Sequence, residues 1–274
     1  MIDLSKKYLP NKLFKKIKSN FPQSILEESY IWRSYDKRKI SKLKDAFKGE
    51  RAFIVGNGPS LNKIDLSKLK DEYTFGVNSI FLKEDTFKPY FYVVEDHNVA
   101  RDNAKKIHDF KTKYKFLPRN YKHIIKGDPN TIFYNMNTGY YQEYSSNYCI
   151  PRFSADASSR LYCSQSVTII CLQLAFYMGF ESVYLLGMDF SYIIPEDAVL
   201  EDGGSILSTS DDPNHFDSSY FGAGKRWHDP HLDRVERSYK LAKICYGSKG
   251  KNIYNSTVGG KLEVFERVDF NSLF

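Results

Sequence analysis

The residues best suited to chemistry follow directly on apolar runs. The run Ala52–Val55 breaks into Gly56-Asn57-Gly58-Pro59-Ser60. Two glycines around an asparagine permit positive φ and close backbone approach. Pro59 suits the first position of a following helix, where a missing N–H costs nothing. The turn is expected to aim amide N–H groups outward. With a helix dipole, such groups favour an anion by about 0.3–1 kcal/mol when exposed. The spacing is neither GxxxxGK nor GxGxxG, so neither common nucleotide grip is indicated. A Gly-Asn-Gly segment can be only a turn, and its place behind an apolar strand sets the ligand reading level with that one.

Other strand ends carry polar groups as well. Asn78 closes Thr74–Val77 and offers a donor and an acceptor to a base or ribose, or else forms an Asx-turn. Glu95-Asp96-His97 closes Tyr90–Val94, where it would bind a sugar, a base or a divalent ion, or cap a loop. Ser166 opens a helix. Capping alone accounts for it, although its hydroxyl could also face a ligand. After Val183–Leu186 come Gly187-Met188-Asp189-Phe190-Ser191-Tyr192. An unpaired carboxylate is costly to bury, which assigns Asp189 to a site rather than to the core. Further on, Lys225, Arg226 and His228 flank Trp227 just before a helix that starts near His231. An imidazole, with an unperturbed pKa of ~6.5, suits the removal of a proton from an acceptor hydroxyl. Such a base contributes about 10²–10⁴-fold in rate. The plainer role for His228 is to order the turn through Asp229. His215 and His231 rank below it.

These residues need a scaffold that brings strand ends together. Apolar runs at Ala52–Val55, Thr74–Val77, Tyr90–Val94, Thr131–Tyr134, Val183–Leu186 and Asn252–Tyr254 read as strands. The stretch Gln165–Met178 reads as a buried helix with Val167, Ile170, Cys171, Leu174 and Met178 on one face, stopped by Gly179. Helix-then-strand alternation implies a parallel sheet with helices on its faces. Ligands of such sheets bind beyond the carboxyl ends of the strands. Between Ile193 and Lys225 the chain is rich in Asp, Ser, Gly and Pro without a clear period, as in a lid or a disordered loop.

Residues 1–51 hold 14 Lys and Arg against 6 Asp and Glu, and the remaining residues hold 26 against 27. The basic character therefore lies in an N-terminal segment, and the near-neutral charge of the body argues against a nucleic-acid partner. That segment, residues 1–50, reads as helix around Leu4, Leu9, Leu13, Ile17 and Phe21, then from about Gln23 to Phe47. It is expected to cap the core of a domain spanning 51–274. The alternative is a basic amphipathic surface making peripheral contact with a membrane. Cys149, Cys163, Cys171 and Cys245 have no metal-ligand spacing and read as reduced residues. No signal-peptide pattern and no run of 18 apolar residues occur, so a cytoplasmic location is expected.

The segments Phe-Ile-Val-Gly-Asn-Gly-Pro-Ser-Leu, Phe-Gly-Val-Asn and Tyr-Met-Gly-Phe-x-x-Val-Tyr-Leu-Leu-Gly-Met-Asp-Phe resemble the MptE-like family. So does the closing Ile-Tyr-Asn-Ser-Thr-Val-Gly-Gly-Lys-Leu-Glu-Val-Phe, and the likeness covers most of residues 30–274. The fold expected from the alternation above is α/β: a Rossmann-like, mostly parallel sheet with helices on both faces and a lid-like loop over about 191–226.

The resemblance points to two kinds of relative. One is the family 42 group of bacterial sialyltransferases, which use CMP-activated sialic acid without a metal. By that resemblance Gly56–Ser60, Asn78, Gly187 and Asp189 hold the cytidine nucleotide. His228, five residues before Asp233, keeps the spacing of that group's catalytic histidine. At the phosphate end Tyr192 stands one place later than in that group and Lys225 replaces a tyrosine. Lys225 or Arg226 would supply the missing contacts electrostatically. The other relative is the archaeal 6-hydroxymethyl-dihydropterin diphosphokinase, for which Glu95, Asp96 and Asp189 would hold Mg²⁺.

The function expected is metal-independent, inverting transfer of a sugar from a CMP-type donor to a cell-surface glycan or lipid-linked acceptor, with His228 as base. A diphosphokinase and a non-catalytic nucleotide-binding accessory protein are the alternatives. Homo-oligomers are common among such transferases.

Overall fold

The computed structural model describes residues 35–201 and 204–274. Its centre is a sheet of eight strands, all paired in parallel. In chain order they are β1 (Arg51–Val55), β2 (Tyr73–Val77), β3 (Phe91–Val93), β4 (Tyr114–Pro118), β5 (Thr131–Tyr134), β8 (Ser182–Leu186), β12 (Asn252–Asn255) and β13 (Glu266–Arg267). A two-stranded pair, β6 (Met136–Asn137) and β7 (Leu161–Tyr162), stands apart.

The spatial order is β13-β12-β8-β1-β2-β3-β4-β5. The chain builds outward from β1 to β5, then crosses back to lay β8 on the other side of β1. Such a reversal opens a crevice beyond the strand ends, because the connections on its two sides leave in opposite directions.

Both faces of the sheet are covered. Ala52 and Ile54 of β1 join one apolar cluster, and Phe53 and Val55 join the other, as the two-residue period of a strand demands. The first cluster lies under α1 (Tyr35–Ser41), α4 (Val167–Met178) and α5 (Leu232–Gly247). The second lies under α2 (His97–Asp102), α3 (Ala104–Asp109) and several 3-10 turns. The helix expected over Gln165–Met178 begins at Val167. It is buried on all sides except at Phe176, not on one face, because it lies between the sheet and α5. Gly179 ends it in the left-handed region (φ +97°).

Two further differences have physical causes. Strand β4 was not foreseen because Lys115 and Pro118 interrupt its apolar run. Lys115 is 1% exposed, and its ammonium reaches the His108 carbonyl at 2.8 Å and Asp128 at 3.3 Å. The expected lid contains β9 (Val199–Glu201), β10 (Ser205–Leu207) and β11 (Arg226–His228), an antiparallel sheet whose strands are too short to show a period. Within the basic segment, Ile40, Leu43 and Phe47 pack into the first core cluster. The expectations for residues 1–34, membrane contact included, lie outside the described residues. Among those described, no helix is long and apolar enough to cross a membrane, and the four cysteines are free thiols.

Candidate functional site at the β1–β8 crevice

A cleft open to solvent lies at this reversal. Its walls include Gly56, Asn57, Gly58, Asn78, Ser166, Gly187, Asp189 and Tyr192, each singled out by the sequence.

The backbones of the β1 and β8 turns meet here. The amides of Gly56 and Gly58 donate to the carbonyls of Leu186 and Gly187 at 2.8 and 2.9 Å. A Cβ on Gly56 would stand 2.7 Å from the Gly187 carbonyl, and one on Gly58 would stand 1.9 Å from Asp189 Oδ2. Only glycine fits either place. Pro59 begins a 3-10 turn, Pro59–Lys63.

The expected outward amides are mostly engaged within the protein. Gly56 and Gly58 pair with β8 and its turn, and the Ser60 amide points to Asp189 at 3.2 Å, reinforced by Ser60 Oγ to Oδ2 at 2.7 Å. The protein's own carboxylate therefore takes the place an external anion was expected to hold. Asp189 latches the β1 turn to β8, as a carboxylate at a helical N-terminus does.

Asn57 is 8% exposed. Its NH₂ donates to the Val77 carbonyl and to the Tyr220 hydroxyl, both at 3.0 Å. Its Oδ1 is buried and has no partner. Asn78, with φ +46°, accepts from the amides of Glu95 (3.1 Å) and Asp96 (3.5 Å) through Oδ1. It brackets the ends of β2 and β3 instead of forming a local turn. Its NH₂ is the group it can offer a ligand. Ser166 accepts from the Thr168 amide at 3.3 Å, so it caps α4 while lining the cleft.

Glu95 and Asp96 stand beside the cleft and not in its wall. Burial, and then the neighbouring Asp96, push the Glu95 carboxyl up to about 7, against the Tyr141 hydroxyl. Burial also raises Asp96, against its amide partners Val99 and Asn98 and the nearby His228 and His97. Asp96 Oδ1 caps α2 through the Val99 amide at 2.8 Å. With Asp189 bound to Ser60, these three carboxylates do not converge as a magnesium-ligand set. Among the described residues no group of three or more His, Cys, Asp or Glu is placed to hold a metal.

The lid residues divide between the cleft and its surroundings. Lys225, Arg226 and His228 are outside the cleft lining. Lys225 Nζ donates to the Ser219 and Tyr220 carbonyls, Arg226 pairs with Glu201 at 2.8 Å, and exposed His228 has Nδ1 3.2 Å from the Gly204 carbonyl. Each of these partners belongs to the lid itself. The cleft instead receives His215, Asn214 and Tyr220. The sequence alone sets His215 below His228. The spacing of His215, three residues from Asp212, is the signal that could have raised it, since a carboxylate at that distance in a turn can orient an imidazole.

A family model described as 6-hydroxymethylpterin diphosphokinase MptE-like matches residues 28–195. No curated protein matches the chain.

Proposed function

The chain belongs to the 6-hydroxymethylpterin diphosphokinase MptE-like family, and on that premise we propose that it transfers a group from a nucleotide seated in the β1–β8 cleft. The group is a sugar on a CMP-type donor, and the acceptor is a cell-surface glycan or a lipid-linked acceptor. The observation that carries this reading is Asn57 Oδ1, a buried acceptor without a donor, on a residue that lines the cleft. Leaving such an atom unpaired costs about 1–3 kcal/mol. A ligand that donates an N–H or O–H there recovers that free energy, and cytosine's amino group and a ribose hydroxyl both qualify.

In this reading Asn78 offers its NH₂ to the nucleotide, while Asp189 and Ser60 keep the glycine turn in shape. The leaving group is a nucleoside monophosphate, which departs with help from hydroxyls and cations. Tyr192 lines the cleft for that purpose. Lys225, Arg226 and His228 enter only if the lid closes over bound donor.

A second reading, pyrophosphoryl transfer from ATP, is favoured by the description of the family. It needs a magnesium-ligand set, which Glu95, Asp96 and Asp189 do not form as they stand.

Thermal unfolding with CMP, CDP, UDP, GDP and ATP, each with and without Mg²⁺, separates the readings. A ligand at a hundred times its Kd stabilises by about 2.7 kcal/mol, or roughly 5–10 °C for a chain of this size. CMP is expected to raise the Tm without Mg²⁺. A larger, Mg²⁺-dependent shift with ATP would replace this reading with the second, and no shift with any nucleotide would remove both.

A further inference from the structure

We propose that His215, oriented by Asp212, is the group that takes the acceptor's proton, an inference that rests on the transferase reading. His215 Nδ1 lies 2.6 Å from Asp212 Oδ2. That carboxylate is 3% exposed and also accepts from the Asn214 amide (2.8 Å, through Oδ1) and the Phe221 amide (2.9 Å, through Oδ2). Burial alone would raise the Asp212 carboxyl, but His215 and the two amides hold it below the ordinary carboxylate range. An ionised carboxylate accepts and cannot donate, so the proton of the neutral imidazole is on Nδ1. Nε2 is left with its lone pair.

The ring is fixed from three sides. Its plane stacks on Tyr220 at 3.9 Å and 4°. Phe221 meets it edge-on at 5.3 Å. The Tyr192 hydroxyl lies 3.4 Å from Nε2, a long contact that an entering hydroxyl can replace. The Tyr220 hydroxyl in turn receives the Asn57 NH₂, so one chain of contacts runs from the glycine turn through Tyr220 to this imidazole. His215, Tyr192, Tyr220 and Asn57 all line the cleft. Fixing an imidazole by a buried carboxylate on one nitrogen, with the other facing a cavity, is the arrangement that general-base catalysis requires.

The acceptor oxygen forms a bond to the anomeric carbon, and its proton passes to Nε2. The bond from that carbon to the phosphate oxygen breaks, its electron pair leaving with CMP. Asp212 stabilises the imidazolium until the proton returns to solvent. Asp212 touches no reacting atom and acts as a positioning residue.

The test follows CMP release from CMP-N-acetylneuraminic acid with water as acceptor, and in parallel the Tm rise given by CMP. His215→Ala is expected to lower kcat by about 10²–10⁴-fold, to keep the CMP-induced Tm rise and to be partly rescued by added imidazole. Asp212→Asn is expected to lower kcat while KM stays within about twofold, a split that general loss of structure does not give. An undiminished rate in His215→Ala would overturn the proposal, as would loss of release in His228→Ala alone. If the wild-type protein releases no CMP, the transferase reading beneath it falls instead.

Discussion

Glu95 shows how the site bears on stability through a single residue. Its carboxyl stands at about 7 in the folded chain against 4.5 for an ordinary glutamate, chiefly because burial penalises the charge. The folded state therefore binds this proton more tightly than the unfolded state does. Below pH 4.5 both states hold the proton and the residue has no effect. As pH rises from about 4.5 to 7 the unfolded chain ionises first, so stability falls across that window and levels off above it. Glu95→Gln removes the titration. The Tm of that variant is expected to match wild type near pH 4 and to exceed it near pH 8, whereas a parallel decline in both proteins would contradict the assignment. Asn57 and His215 each pair one polar atom firmly, and both residues line the cleft. Only Asn57 was picked out by its sequence surroundings. The setting of His215 depends on Asp212, Tyr220 and Tyr192 arriving together from a segment without a period.

Between the elements, the critical contact is the β1 turn against the β8 turn. Gly58 has φ −65° and ψ 157°, a conformation open to alanine, so a substitution there tests space alone. Gly58→Ala sets a methyl group against Asp189 Oδ2 and the Gly187 carbonyl. The turns must part, and the Asp189–Ser60 latch opens. Overpacking of this kind costs about 1–3 kcal/mol. In urea unfolding the midpoint is expected to fall with the slope unchanged, and an unaltered midpoint would show that the two turns are not in close contact. The strand ends here were legible because Ala-Phe-Ile-Val and Val-Tyr-Leu-Leu are short apolar runs stopped by glycine, a local signal. That the amides of the turn serve Asp189 and not a ligand was not legible, because the carboxylate comes from 129 residues away in sequence. Strand β4 was missed for a related reason. Lys115 is polar in sequence and acceptable in the core only because the His108 carbonyl and Asp128 meet it there.

Across the whole molecule, the order β8-β1-β2 carries the account. A parallel sheet that grows from β1 in one direction and then in the other leaves a single reversal, and the Gly56–Ser60 and Gly187–Asp189 turns both emerge at it. Alternation of helix and strand announced the parallel sheet, but no local pattern records which strand lies beside which, so the pairing of β1 with β8 is a property of the fold. The lid lay further from view, since β9, β10 and β11 are three residues each and gain their order from one another. The measurement that bears most directly on the nucleotide reading is a crystal structure of the protein with CMP. The nucleotide is expected between the Gly56–Ser60 turn and Asn78, with an N–H or O–H donor about 3 Å from Asn57 Oδ1. CMP bound elsewhere on the molecule, or a cleft that stays empty at saturating CMP, would contradict it.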